Sequence, residues 1–260
     1  MTVLDELVAG ALADAKMRES WLPFTELESL LPATPALDPM PALRAPGISV
    51  IAEVKRSSPS KGALAPIEDP AGLAESYETG GASAISVLTE ERRFSGSLAD
   101  LDAVRARVKL PVLRKDFLTT RYQLTEARVH GADLALLIVG ALSDAELRSL
   151  HGYCLELGLT PLVEVHTIDE AHRAKELGAE LIGVNNRDLR TLKVDLAHFA
   201  PIRAVLPTET TVVAESGILS PADVRRLADE GADVILVGEA LVIAGEPITT
   251  LGKFIESGAA

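Results

Sequence analysis

A four-fold repeat spaced near 50 residues, eight short apolar runs and helix signals between those runs together predict an α/β fold. The class is a (β/α)8 TIM barrel with an extra N-terminal helix. The repeat is read in GGASAISV from Gly80, HGADLALLIV from His130, LGAELIGVNN from Leu177 and EGADVILVG from Glu230. Each phrase sets a Gly-Ala pair and a polar residue before a strand-like apolar run. Spacings of 50, 47 and 53 residues leave room for a strand, a helix, a second strand and a second helix per repeat. Strands alternating with helices imply right-handed crossovers and a parallel sheet. An open doubly wound sheet is the alternative, but no G-x-G-x-x-G follows the first strand and the chain shows no two halves.

The elements follow in order. Leu4, Leu7, Val8, Ala11 and Leu12 have helical spacing, so the chain opens with a helix expected to cover one end of the barrel. Trp21 and Phe24 follow it as expected anchors, and the proline-rich stretch 32–46 reads as an ordered linker. The first strand covers Ile48 to Val54. Between the repeat phrases lie further runs: Pro111 to Leu113, Leu159 to Val165 and Thr211 to Ala214. Helix starts are marked by Asp69-Pro70 and Ser220-Pro221, an N-cap before proline at the first helical position. Ser143-x-x-Glu146 and Thr167-x-x-Glu170 read as capping boxes. The glycine of each repeat phrase ends the helix before it. Residues 1–260 thus form one domain, a helical extension over 1–47 and a barrel over 48–257.

Composition narrows the function. With 47% hydrophobic residues the chain can bury a full core. A net charge of −13 without a basic stripe speaks against a nucleic-acid partner. The start carries Asp5 and Glu6 and lacks a basic leader, and no apolar run approaches a membrane span, so a cytoplasmic protein without a membrane partner is expected. The single cysteine, Cys154, forms no internal disulfide, and no Cys/His cluster has metal-binding spacing.

Barrel enzymes place their chemistry at the C-terminal ends of the strands. Five apolar strands here finish in polar residues: Glu53 with Lys55, Lys115, Glu164, Asn185 and Glu215. Alternation puts Glu53 and Lys55 on one face, and Lys115 and Phe117 on one face. Lysines among carboxylates suit acid–base work, because burial and neighbouring charge move their proton affinities. Ser216-Gly217-Ile218 after the seventh strand and Val237-Gly238-Glu239-Ala240 after the eighth occupy the two loops where barrels often hold a phosphate. The loop Arg56 to Gly62 is small, polar and basic, fit to close over an anion.

Six segments resemble the indole-3-glycerol-phosphate synthase family: Ile51 to Gly62, Leu113 to Phe117, Leu162 to Val165, Gly183 to Leu189, Ala214 to Ile218 and Val237 to Leu241. The resemblance spans about residues 3–255. It implies a carboxy-lyase of tryptophan biosynthesis. Such an enzyme closes the indole ring of 1-(2-carboxyphenylamino)-1-deoxyribulose 5-phosphate with loss of carbon dioxide and water. No cofactor is implied, and the partner is a phosphorylated small molecule bound by a monomer. The resemblance makes Lys115 the acid at the ribulose carbonyl and Lys55 the acid that helps the hydroxyl leave. Glu164 becomes a relay or base, Glu53 and Asn185 orient the lysines and sugar hydroxyls, and Glu215 completes the polar ring. Ser58 belongs to its substrate-binding set, Arg187 meets the anthranilate carboxylate, and Phe94, Phe117 and Leu136 wall the aromatic ring. Ser216, Gly217, Gly238 and Glu239 match its phosphate site. Glu239 stands where some members carry a small residue. A carboxylate repels phosphate, so only the Glu239 backbone N–H is expected to face it.

Two rival functions remain at this stage: a sister isomerase on a related substrate, and a barrel that binds a phosphorylated metabolite without turning it over. His166 is expected to cap the next helix. His130, His151, His172 and His198 read as helical surface or packing residues, and Arg92 and Arg93 as a solvated turn.

Overall fold

The computed structural model describes residues 2–58, 62–63, 67–188, 191–243 and 245–259, with the backbone alone at 58 and 63. Eight parallel strands close into a barrel: β1 (Ser49–Val54), β2 (Ala84–Leu88), β3 (Val112–Lys115), β4 (Leu134–Ile138), β5 (Thr160–Val165), β6 (Leu181–Asn185), β7 (Thr211–Glu215) and β8 (Val234–Val237). Each pairs with its sequence neighbours, and β1 pairs with both β2 and β8. Closure removes the open doubly wound alternative.

Alternation sorts each strand into two layers. Val50, Ala52 and Val54 face outward into the main core, between sheet and helices. Ile51 faces inward, with Leu113, Leu134, Leu162, Leu181, Val213 and Val234 filling the interior of the barrel. The register sets Glu164 level with Gly183 and Asn185 level with Glu215. The polar strand ends therefore rise to one rim.

The outer helices are α4 (Pro70–Thr79), α5 (Leu98–Arg107), α6 (Arg121–Val129), α7 (Asp144–Glu156), α8 (Ile168–Leu177), α9 (Phe199–Arg203), α10 (Pro221–Asp229), α11 (Glu239–Ile243) and α12 (Pro247–Gly258). Asp69, Ser143 and Ser220 cap α4, α7 and α10 as their sequences predict, each accepting a backbone N–H of the first turn. Such a cap contributes about 1 kcal/mol. Gly81, Gly131, Gly178 and Gly231 of the repeat take positive φ of 92°, 78°, 80° and 94°, so each Gly-Ala pair reverses the chain into its strand.

One box is only half formed. Thr167 accepts the Glu170 N–H, but the Glu170 carboxylate does not return to the Thr167 backbone. It accepts the backbone N–H of His166 at 2.7 Å instead. His166 is therefore not the cap of α8; it is held by that helix.

The N-terminal extension spans both ends of the barrel. Helix α1 (Val3–Trp21) sends Leu7 into the mouth, while α3 (Met40–Leu43), inside the proline-rich stretch, buries Leu43 in the interior cluster at the opposite end. Asp133, just ahead of β4, accepts the Leu37 N–H at 2.7 Å and fastens the crossing segment. Trp21 corrects an expectation: it is 73% exposed and anchors nothing. Phe24, at the start of α2 (Phe24–Ser29), does anchor, with its ring 6.5 Å from that of Tyr122. Arg92 and Arg93 form an exposed turn, as expected, and the turn is also tied down. Arg92 pairs with Asp14 at 2.6 Å and Arg93 with Glu6 at 3.5 Å, tying α1 to the loop after β2. Cys154 is buried in α7, and burial pushes its thiol up to about 12.

Candidate active site

A pocket opens at the C-terminal rim, lined by side chains from every strand end and from α1. It holds Glu53, Lys55, Lys115, Glu164, Asn185 and Glu215, the six residues expected to do the chemistry. It also holds Phe94, Phe117, Leu136, Arg187, Ser216, Gly217, Gly238 and Glu239. Ser58 is the one expected residue whose place relative to the pocket lies outside the described residues. Its backbone pairs with Gly62 in a two-residue hairpin, and its side chain lies outside the described residues, as do positions 59–61 of the basic loop.

Lys115 is the centre of the charge pattern. Its Nζ lies 3.5 Å from a carboxylate oxygen of Glu164 and 3.5 Å from one of Glu215. Burial alone lowers its proton affinity, but the charges of Glu164, Glu215 and Glu53 outweigh that and raise it above the ordinary lysine value. Lys115 is therefore a cation throughout the working pH range. Lys55 forms an ion pair with Glu53 across the strand end. Burial pushes Glu53 up, yet the charges of Lys55 and Lys115 hold its carboxyl below the ordinary range.

Glu164 and Glu215 face the same ammonium but differ. Glu164 stays below the ordinary value because Lys115 and His166 outweigh its burial, helped by the Asn185 amide, which donates to Oε1 at 3.2 Å. Glu215 is raised well above the ordinary value by burial and by the charge of Glu164, which Lys115 does not offset. One lysine thus faces a glutamate whose proton affinity is lowered and another whose proton affinity is raised.

This has a stability consequence with a definite sign. A carboxyl raised in the folded state contributes stability below its unfolded value near 4.5 and loses it as pH rises through the folded value. Glutamine mimics the protonated form and does not titrate. We predict that Glu215→Gln raises Tm relative to the parent, by a margin that grows from pH 5 to pH 9. Calorimetric scans at several pH values check this, and a margin that stays flat with pH refutes it.

Backbone geometry completes the rim. Ser216 and Gly217 both have positive φ, 66° and 82°, immediately after β7. Strain of this kind in a non-glycine residue persists only where the surroundings enforce it. Asn186 does so, its amide donating to the carbonyls of Glu215 at 3.0 Å and Ser216 at 3.4 Å. Gly183 is equally constrained, since a Cβ there meets the Glu215 carboxylate oxygen at 2.1 Å. The rings of Phe94 and Phe117 lie 6.1 Å apart and form the apolar wall with Leu136 and Leu7.

Asn186, Gly183, His166 and Leu7 are the residues that motif reading gave no role. The first three sit inside the recognised segments or one residue beyond them. Leu7 carried only a helix-spacing signal, which says that a side chain is buried but not where.

Below the rim, a buried network supports Lys115. Arg114, fully buried, donates to Thr89 at 3.1 Å, Glu126 at 2.8 Å and Asp116 at 3.1 Å. Glu126 also accepts Arg18 of α1 at 2.6 Å. The strand carrying Lys115 is therefore bolted to α6 and, through Glu126, to the N-terminal helix.

Comparison with known proteins gives the family. Residues 4–251 match the family model described as indole-3-glycerol phosphate synthase. A protein of Streptomyces coelicolor named indole-3-glycerol phosphate synthase 1 is 56% identical over 259 residues, covering 99% of this chain and 96% of that protein. An indole-3-glycerol phosphate synthase of a Nocardioides species is 58% identical over 248 residues, covering 95% of each. Among solved structures, 3-hexulose-6-phosphate synthase of Salmonella typhimurium superposes with a TM-score of 0.66 at 15% identity, covering 81% of this chain and 98% of that one. At that identity the likeness concerns the barrel alone.

Proposed function

The chain belongs to the indole-3-glycerol phosphate synthase family, and from that premise we propose how its mouth divides the reaction. The activity is that of a decarboxylating lyase of tryptophan biosynthesis acting on a phosphorylated small molecule. Ring closure needs a cation at the carbonyl oxygen as the aromatic ring attacks, because that oxygen gains negative charge. Lys115 supplies it and gives the proton. Carbon dioxide then leaves and aromaticity returns. Loss of the hydroxyl as water needs a second acid, which is Lys55, and a base for the neighbouring carbon, which is Glu164. Glu53 holds Lys55, and Asn185 holds Glu164. Glu215 keeps a proton beside both. Arg187 faces the carboxylate that departs, and Phe94, Phe117 and Leu136 grip the ring. The loops bearing Ser216, Gly217, Gly238 and Glu239 receive the phosphate. Ser58 belongs to the same binding set from the loop after β1.

One observation carries this reading: Lys115 Nζ stands 3.5 Å from both Glu164 and Glu215, beside the phenylalanine wall. Neither an isomerase nor a passive binder calls for a cation shared by two buried carboxyls at an aromatic surface. Incubation with the carboxyphenylamino substrate tests it directly. Indole fluorescence should rise together with carbon dioxide release. Binding without carbon dioxide release overturns the reading. The same reading makes the chain a cytoplasmic protein acting as a monomer, in keeping with the self-repulsion of a net charge of −13.

A further inference from the structure

Glu164 and Glu215 stand at equal distance from Lys115, so the lysine itself does not choose between them. The choice is made from the far side of Glu164. His166, two residues along β5 and beyond its end, returns its ring to the same carboxylate, with Nε2 3.3 Å from Glu164 Oε1. That nitrogen is buried and has no hydrogen-bond partner of good alignment. On its other side the ring meets Glu170, whose Oε2 lies 3.5 Å from Nδ1 and also accepts the His166 backbone N–H at 2.7 Å. This is the carboxylate that α8 withdraws from its own capping box. Both carboxyls keep one buried oxygen without a hydrogen-bond partner, Glu164 Oε2 and Glu215 Oε1, but among the described residues an imidazole stands against Glu164 and not against Glu215.

We propose that His166 is a positioning residue that fixes which of the two mouth glutamates is ionised, acting as a cation clamped between Glu164 and Glu170. The inference rests on the role of Glu164 as base given above. With the imidazolium in place, Glu164 is the carboxylate and Glu215 holds the proton. When His166 loses its charge, Glu164 loses an advantage that Glu215 never had, and the proton is redistributed toward the base.

The groups facing His166 are Glu164 from β5, Glu170 from α8 and Lys115 from β3. Burial and Lys115 disfavour the imidazolium, whereas Glu170 and Glu164 favour it, and the balance lies above the ordinary histidine value of 6.5. The ring therefore keeps its proton to higher pH than a free histidine, and activity should fall as pH rises through that raised titration.

The test is the pH profile of kcat for His166→Gln and Glu170→Gln. Removing an acid–base group itself costs about 10²–10⁴-fold. A group that only biases the base is expected to cost less, about 10-fold in kcat with KM within about twofold. His166→Gln should also lose the alkaline limb belonging to His166. Glu170→Gln leaves the imidazole in place but weakens its hold on a proton, so the limb should move to lower pH. A merely structural role moves neither limb. A parent-like profile in both variants overturns the proposal, as does a fall in kcat with the limb unmoved. If His166→Gln does not fold, the limb of Glu170→Gln decides alone. Glu164→Gln separates the two levels: near-parental activity there sinks the role of the base. Its inactivity beside an unchanged His166→Gln profile sinks only the present inference.

Discussion

Lys115→Met is expected to lower kcat by about 10³-fold, within the range for removing a general acid and a charge at a developing oxyanion. The side chain is similar in length and apolar, so the pocket keeps its shape while losing the cation that Glu164 and Glu215 share. Those two carboxyls then face each other without the ammonium between them. Glu164, held low mainly by Lys115 against its burial, should take up a proton at higher pH. The variant should therefore be less stable than the parent at pH 8 and recover toward it near pH 5.5, where both carboxyls can be neutral. Lys115→Arg keeps the charge but releases no proton, and separates the two contributions. Steady-state assays of indole formation with thermal scans at both pH values check these outcomes. Activity of Lys115→Met within threefold of the parent rejects Lys115 as the acid.

Arg114→Met should produce the largest loss of stability. The guanidinium is fully buried and satisfies Asp116, Glu126 and Thr89 together. Its removal takes a buried cation from two buried carboxylates, and breaking a buried ion pair in this way typically costs about 3–5 kcal/mol. For a domain of this size that is a drop in Tm of about 10 °C. Glu126 keeps its bond to Arg18, at 2.6 Å, so Asp116 is the more exposed to the loss. Asp116 accepts the Phe117 N–H at 2.8 Å, which links the damage to the aromatic wall. Adding Glu126→Gln should restore part of the lost Tm, since removing both partners of a buried pair costs less than removing one. An unchanged melting point in Arg114→Met refutes the account.

The barrel was legible because its signals are local and recur. The Gly-Ala phrase, the capping residues and the apolar runs each act within about one helical turn or strand, and the eight units repeat them. The polar strand ends were legible for the same reason: residue alternation and barrel topology together fix where Glu53, Lys55 and Lys115 point. What escaped notice depends on partners distant in sequence. Arg92 does lie on an exposed turn, but its tie to Asp14, 78 positions away, leaves no mark in the sequence around it. Trp21 looked like an anchor because its size suggests burial, but the helix ends before reaching a surface to cover it. The box at Thr167 failed because the carboxylate of Glu170 had a stronger claimant in His166, which a four-residue pattern does not reveal. Gly183 gave no hint that it makes room for the carboxylate across the neighbouring strand.

A ring of strands has no end from which to fray. Peeling any one strand from this barrel breaks two ladders at once, since even the first strand is paired with the last. Backbone amides in all eight strands should therefore exchange with solvent deuterium only when the whole molecule opens, while those in the rim loops exchange by small local excursions. The sheet in this way tolerates motion at its lip without surrendering the alignment of the groups that the lip surrounds.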